Sequence, residues 1–251
     1  DDFQAIQNET AFDYKKLGAQ MLTKIEGGMG LLMGGTAGVQ AAHVVILGAG
    51  TVGLSAAKVA MGMGARVTIL DSNLFRLRQI DDLFGGRIQT LASNAFNIAA
   101  ATKDADLLVG SVLIPGALTP KLVTEAMVKT MKPGSAIVDV AIDQGGCIEP
   151  TAKHGATYHD KPTFKYPVNG GEVVCYSVGN MPGAVARTST FTLTNATMPY
   201  MVDLANKGWK KACQDDKALA RGINTYDGKV YFKGVSDALG YELHCTCDIL
   251  K

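Results

Sequence analysis

The sequence predicts an α/β fold: a doubly wound parallel sheet with helices on both faces, followed by C-terminal helices. Short apolar, β-branched runs such as VVIL (44–47) and VTIL (67–70) read as strands buried on both faces. They alternate with longer helical stretches, the order of βαβ units. The stretch VVILGAGTVG (44–53) adds a glycine turn between a strand and the next helix, where such sheets place ligands.

Along the chain, residues 1–13 are polar and irregular. An amphipathic helix is predicted over Tyr14–Thr23, with Leu17, Met21 and Leu22 on one side, ending at a glycine cluster. A strand over His43–Leu47 leads into a helix over about Thr51–Met63, then a strand over Arg66–Leu70. A helix follows at Asn73–Phe84, a short strand at Arg87–Leu91 and a buried strand at Asp106–Val109. Pro120, after Thr119, reads as the first residue of a helix running to Met131. After the Lys132-Pro133-Gly134 turn, SAIVDVAID is strand-like. A polar loop then leads to a last β-rich run, Glu172–Val178. Beyond Asn180 the pattern is helical, longest over Thr190–Lys207, with a small strand or turn at GKVYFKG.

Composition narrows the function classes. The 251 residues are 47% hydrophobic and 19% charged, and 24 Lys plus Arg against 23 Asp plus Glu leave a net charge of +1. That balance gives no electrostatic case for nucleic acid or an anionic membrane surface, so small ligands are the expected partners. No apolar run is long enough to span a bilayer. The five cysteines (Cys147, Cys175, Cys213, Cys245, Cys247) lack zinc-type pairing, and no metal site is expected. Cys245 and Cys247 read as two reduced thiols, and free thiols suit a reducing, cytoplasmic compartment. The start DDFQ, without methionine, suggests a processed, truncated or fragmentary chain.

In the glycine loop, Gly48 permits the tight turn, Gly50 lets backbone approach a pyrophosphate and Gly53 allows helix–strand packing, the Rossmann-type arrangement. The helix-start amides, at Thr51 and Val52, point at the phosphates with the helix dipole behind them. Asp71 ends the second strand about 20 residues on, where a carboxylate accepts bonds from ribose hydroxyls and repels a 2′-phosphate. NAD is therefore expected over NADP, with Arg76 nearby as the opposing signal. The structural alternative is that Asp71 only caps the following helix.

Two further segments end at the carboxyl side of the sheet, VDVAIDQGG (138–146) and VGNMPGAV (178–185). From spacing alone, Asp143 is equally a carboxylate assisting proton transfer beside a nicotinamide and a turn aspartate. Asp139 reads as structural, Asn180 as a ligand contact or a turn residue, and Met181 as core or a ring contact. His43, His154, His159 and His244 occupy no convincing catalytic context.

The segments GGMGLLMGGTAGV, VVILGAGTVG, RLRQIDDLFGG, LVGSVLIPGA, MKPGSAIVDVAIDQGG, NMPGAVARTSTFTLTNATMPY and LANKGW, in this order, closely resemble alanine dehydrogenase over about Gly18–Tyr241. The resemblance implies reversible NAD-dependent oxidative deamination of L-alanine to pyruvate and ammonium. It makes Asp143 the counterpart of the catalytic carboxylate. Asp71 and Arg76 match adenosine-ribose contacts and Ser93 an adenine-side contact. Val112, Leu113, Val140, Ala141, Ile142, Val178, Gly179, Asn180 and Met181 match cofactor-lining residues. It also implies a homo-oligomer, commonly a hexamer, and an NAD-binding domain over 14–185. Residues 1–13 and 186–251 would be the remnant of a substrate and oligomerisation domain.

The departures bear on activity. Family members carry most of a substrate domain ahead of this point, with an Arg, a Lys and a catalytic His that have no counterpart here. Ile6-Gln7-Asn8-Glu9 stands where the family has Pro-Met-Ser-Glu, and the 147–171 loop looks longer than usual. The expected chain is thus an NAD-binding portion not competent alone. The alternatives are the NAD(H)-binding component of a proton-translocating transhydrogenase and a non-catalytic dinucleotide-binding module.

Overall fold

A computed structural model describes residues 14–112 and 118–251. The expectations for 1–13, including the 6–9 segment, and for Leu113 lie outside the described residues. Of the described residues, 14–112 and 119–189 form one compact unit, while Leu118 and 190–251 form a second.

The first unit begins with helix α1 (Tyr14–Met21) and then alternates: β1 (His43–Leu47), α2 (Thr51–Gly62), β2 (Arg66–Asp71), α3 (Leu74–Phe84), β3 (Gln89–Ala92), α4 (Ala95–Asp104) and β4 (Leu107–Gly110). It continues through α5 (Glu125–Val128), β5 (Ala136–Asp139), α6 (Glu149–His154), β6 (Thr163–Val168) and β7 (Gly171–Tyr176). The sheet order is β3-β2-β1-β4-β5-β7-β6, parallel throughout except for β6, which pairs antiparallel with β7. Strand alternation sorts the core into two layers. Val44 and Ile46 pack with Met21, Ala57, Ile69 and Ile80 on one face. Val45 and Leu47 pack with Leu70, Ile98, Leu108 and Ile137 on the other. The two faces, both covered, make the sheet doubly wound.

Several elements differ from the sequence-based expectations. Pro120 does not open a helix. Leu122 N donates to Cys147 O and Glu149 N to Val123 O, so 122–123 run extended beside 147–149. Helix α5 starts only after Thr124, whose hydroxyl accepts from Met127 N. The strand-like SAIVDVAID stops at Asp139, and Val140–Gln144 coil into a 3-10 turn. The polar loop contains α6 and β6, and α4 is a helix the apolar pattern did not announce.

At the amino edge of the sheet, His43 is buried between Thr68 Oγ1 (2.8 Å from Nε2) and Asp104 Oδ2 (2.8 Å from Nδ1). Its backbone N donates to Asp106 Oδ2, whose other oxygen meets Lys132 Nζ, 2.8 Å in each case. Burial first, then the charge of Arg66, push the His43 imidazole below its ordinary value of 6.5, against the pull of Asp104. The unfolded chain therefore takes up this proton first as pH falls, and stability present above pH 6.5 declines below it. His43→Gln is expected to flatten that decline between about pH 7.5 and about pH 5.5, read from urea midpoints.

The helical run α7 (Ala186–Asp215) begins in the first unit and continues in the second, where it is broken at Gly208, whose φ of 73° and ψ of 158° are not helical. It is followed by α8 (Lys217–Ala220), the hairpin β8 (Thr225–Tyr226) with β9 (Lys229–Val230), and α9 (Lys233–Leu239). Cys245 and Cys247, expected as reduced thiols, are joined in a disulfide. The 3-10 turn Thr246–Asp248 accompanies a Cα separation of 5.1 Å, within bonding range. Among the described residues no helix is long and apolar enough to cross a membrane.

Candidate functional site

The parallel strands β2, β1, β4, β5 and β7 all end on one edge, which gathers the residues singled out in the sequence. Between β1 and β4 the strand order reverses, the switch point where doubly wound sheets take ligands.

The glycine loop is built there by contacts that leave no room for side chains. Gly48 has φ +96°, and a Cβ on it would lie 2.8 Å from Ser111 O and 3.1 Å from Val112 Cγ2. A Cβ on Gly53 would overlap the Gly48 carbonyl oxygen, so α2 packs directly on the turn. Gly50 is different: a Cβ there meets nothing within 4 Å. Ser111 fastens β4 to the loop, its Oγ donating to Leu47 O (2.7 Å) and Gly48 O (3.2 Å). The exposed Thr51 and half-buried Val52 form the first turn of α2, after Gly50 as N-cap. A cradle of this shape, open at Gly50 and facing helix-start amides, fits a pyrophosphate.

Asp71 is clamped from both sides. Its Oδ2 accepts from Ala49 N (2.7 Å) and its Oδ1 from Asn73 N (2.8 Å). Asn73, not Asp71, caps α3, its Oδ1 accepting from Arg76 N. The Arg76 side chain donates from Nε to Ala49 O (2.8 Å) and from Nη1 to Gln79 Oε1 (3.2 Å). Carboxylate and guanidinium thus hold the N–H and the C=O of one residue, Ala49, in the glycine loop. Ser93 N donates to Asp71 O, which places Ser93 at the end of β3 beside β2.

Asp143 lies exposed on the 3-10 turn after β5. Its Oδ1 and Oδ2 accept from Asn180 N at 3.2 and 3.3 Å, joining residues 37 apart in sequence. Asn180 reaches that position in a left-handed conformation, φ 52°. A Cβ on Gly179 would lie 3.2 Å from Asp143 Oδ1, so a side chain there would push the carboxylate by a few tenths of an ångström. The other lining candidates divide. Val140 and Val112 are half-buried, whereas Ala141, Ile142, Val178 and Met181 turn their side chains into the core and can offer a ligand only backbone.

The turn carrying Asp143 is fixed by two groups not singled out for it in the sequence. Lys121 Nζ donates to Gly145 O (2.5 Å) and Gly146 O (2.7 Å). Asp139 is fully buried and accepts from Thr151 Oγ1 (2.5 Å), Cys147 N (3.2 Å) and Ile148 N (3.3 Å). Burial pushes the Asp139 carboxyl up, and these donors pull it back down. Burial likewise raises the Cys147 thiol well above its usual value and pushes the Cys175 thiol up to about 12, which keeps both protonated and unreactive.

Strand order, glycine turn and carboxyl-edge acids together define a Rossmann-type doubly wound domain. The family model described as "Alanine dehydrogenase/PNT, C-terminal domain" matches residues 15–233, and the chain belongs to that family. It is 99% identical over 236 residues to an alanine dehydrogenase of Bilophila wadsworthia strain 3_1_6, covering 94% of this chain and 63% of the relative. An alanine dehydrogenase of Methanococcus maripaludis is 58% identical over 223 residues, covering 89% of this chain and 58% of the relative. The chain thus spans about three fifths of the length of these curated relatives. Among solved structures, an L-alanine dehydrogenase superposes with a TM-score of 0.85 at 44% identity, covering 95% of this chain and 64% of the other. A transhydrogenase from Sinorhizobium meliloti gives 0.64 at 26%, covering 80% and 55%.

Proposed function

We propose that the chain binds NAD and serves the oxidative deamination of L-alanine to pyruvate and ammonium. The observation that carries this is the fit of the glycine cradle and Asp71 to a dinucleotide, in a chain 99% identical to an alanine dehydrogenase over 236 residues. When bound, NAD supplies the hydride acceptor. The loop amides at 50–53 hold the phosphates, and Asp71 takes the ribose hydroxyls through lone pairs its two backbone donors leave free. Asp143, exposed and already oriented by Asn180, holds the amino group of the substrate or takes its proton. A cytoplasmic setting and a homo-oligomer belong to the same reading. The greater identity to alanine dehydrogenase than to transhydrogenase, 44% against 26% among the structures, supports it over a transhydrogenase component.

Because the chain spans 63% of its relative's length, we further propose that it binds the dinucleotide without oxidising alanine by itself. A fluorescence titration is expected to show saturable NADH binding and weaker NADPH binding, since Asp71 repels a 2′-phosphate. No absorbance of NADH is expected to develop with alanine and NAD. Joining the chain to the missing part of the relative is expected to produce it. Absence of NADH affinity refutes the cofactor assignment, and steady NADH production by the chain alone refutes the second part.

A further inference from the structure

His159 follows α6 in what reads from the sequence as a polar loop, yet the fold brings that loop to the carboxyl end of β7. Thr157 N donates to Ser177 O (2.8 Å) and Gly179 N to Thr157 O (3.3 Å), so the segment pairs in parallel beside the end of β7. Thr157 Oγ1 donates to Pro162 O and Ser177 Oγ to Gly155 O, closing the loop on both sides. A turn bridging Tyr158 and Lys161 then presents His159 at its tip.

The imidazole arrives beside Asn180. A Cβ built on Gly183 would lie 3.2 Å from His159 Nε2 and 3.3 Å from Asn180 Nδ2, so the two nitrogens crowd the space one missing methyl leaves open. Asn180 is the residue whose backbone N–H meets Asp143, and a Cβ on the preceding Gly179 would lie 3.5 Å from Ala156 Cβ of the His159 loop. His159, Asn180 and Asp143 are all exposed. Among the described residues no direct hydrogen bond joins the two, and an imidazole nitrogen facing the same space can accept from the Asn180 carboxamide through one water.

Resting on the proposed NAD reading, we propose that His159 is a positioning residue of this site. It holds the Asn180 carboxamide and so sets affinity for the nicotinamide half of the dinucleotide, while the adenosine half is held independently at Asp71 and the glycine loop. Gly183 is part of the same device, because its lack of a side chain admits both groups.

The test compares NADH with ADP-ribose, which shares the adenosine end and lacks nicotinamide, by titration against the chain and its variants. His159→Ala is expected to weaken NADH about tenfold, the scale of one hydrogen bond, and to leave ADP-ribose unchanged. Asn180→Ala should weaken NADH similarly, and the double variant should be little worse than either single one. Gly183→Ala, at a position without a positive φ, moves both side-chain ends by a few tenths of an ångström and should weaken NADH less than either truncation. Equal NADH affinity in His159→Ala and the unaltered chain overturns the inference. So do equal losses for both ligands and simple additivity with Asn180→Ala. If the unaltered chain binds neither ligand, the NAD reading itself fails, a result distinct from all of these.

Discussion

Asp139→Ala is expected to cost about 2–6 kcal/mol, at about 1–3 kcal/mol for each of two buried backbone donors left without an acceptor. Total stability of a domain is only about 5–15 kcal/mol, so the variant sits near the unfolding threshold. The carboxylate accepts from Thr151 Oγ1, Cys147 N and Ile148 N, and Cys147 Sγ lies 3.6 Å away. Alanine leaves Cys147 N and Ile148 N buried without an acceptor, while the Thr151 hydroxyl keeps Ile148 O at 2.8 Å. Asp139→Asn keeps one acceptor oxygen but turns an NH2 group toward the same donors, and it should fall between the two. The pH response separates charge from shape. Burial holds the folded carboxyl above its ordinary 3.8, so the native state takes up this proton first and gains stability as pH falls through the raised folded value towards 3.8, below which the gain is complete. The gain disappears in Asp139→Asn. Urea melts followed by circular dichroism check both points, and a cost below about 1 kcal/mol for alanine would show that the network does not organise the 140–151 segment.

Asp139 also marks where sequence reading reached its limit. VDVAID is apolar and β-branched to Ile142, so its pattern continues the strand, but donors from residues 147, 148 and 151 seize the aspartate and turn the chain at Val140. Nothing local in the sequence announces a partner that lies beyond the turn. Helix α4, AFNIAAATKD, has no strong apolar period because its buried side consists only of Ile98, Ala101 and Thr102. Strand β6, TFKYPV, carries lysine and proline, which only an edge position tolerates. By contrast β1, β2 and β4 are central and carry the buried runs VVIL, VTIL and LLVG, so their residues alone disclosed them.

The same division holds at the site. Gly48, Gly50, Gly53 and Asp71 were legible because loop, helix and strand end follow one another along the chain. Asp143 and Asn180 were each ambiguous between ligand contact and turn. What brings them together is the pairing of β5 with β7, visible only in three dimensions. His159 had no signal at all, since its place depends on Thr157 pairing beside Ser177 and Gly179.

Two glycine substitutions three residues apart are expected to behave differently, and the difference tests how the loop works. A Cβ on Gly53 meets Gly48 O, and lies 3.0 Å from Gly48 C and from Ser111 Oγ. Backbone cannot yield as a side-chain end would, so Gly53→Ala must lift α2 away from the turn. Overpacking of this kind costs about 1–3 kcal/mol of stability. The shift also misaligns the helix-start amides, and losing one or two charge-assisted bonds weakens NADH about ten- to a hundredfold. Gly50→Ala adds its methyl to open space, at a φ of −67° that alanine adopts freely, so the fold should be unharmed or slightly firmer. Yet in the proposed NAD reading that open space is where backbone meets the pyrophosphate, and NADH affinity should then fall by a similar factor. Thermal melts and NADH titrations on the two variants separate packing from ligand approach. If Gly50→Ala binds NADH as the unaltered chain does, the phosphates do not pass over Gly50. The loop would then be a structural turn between β1 and α2 and no more.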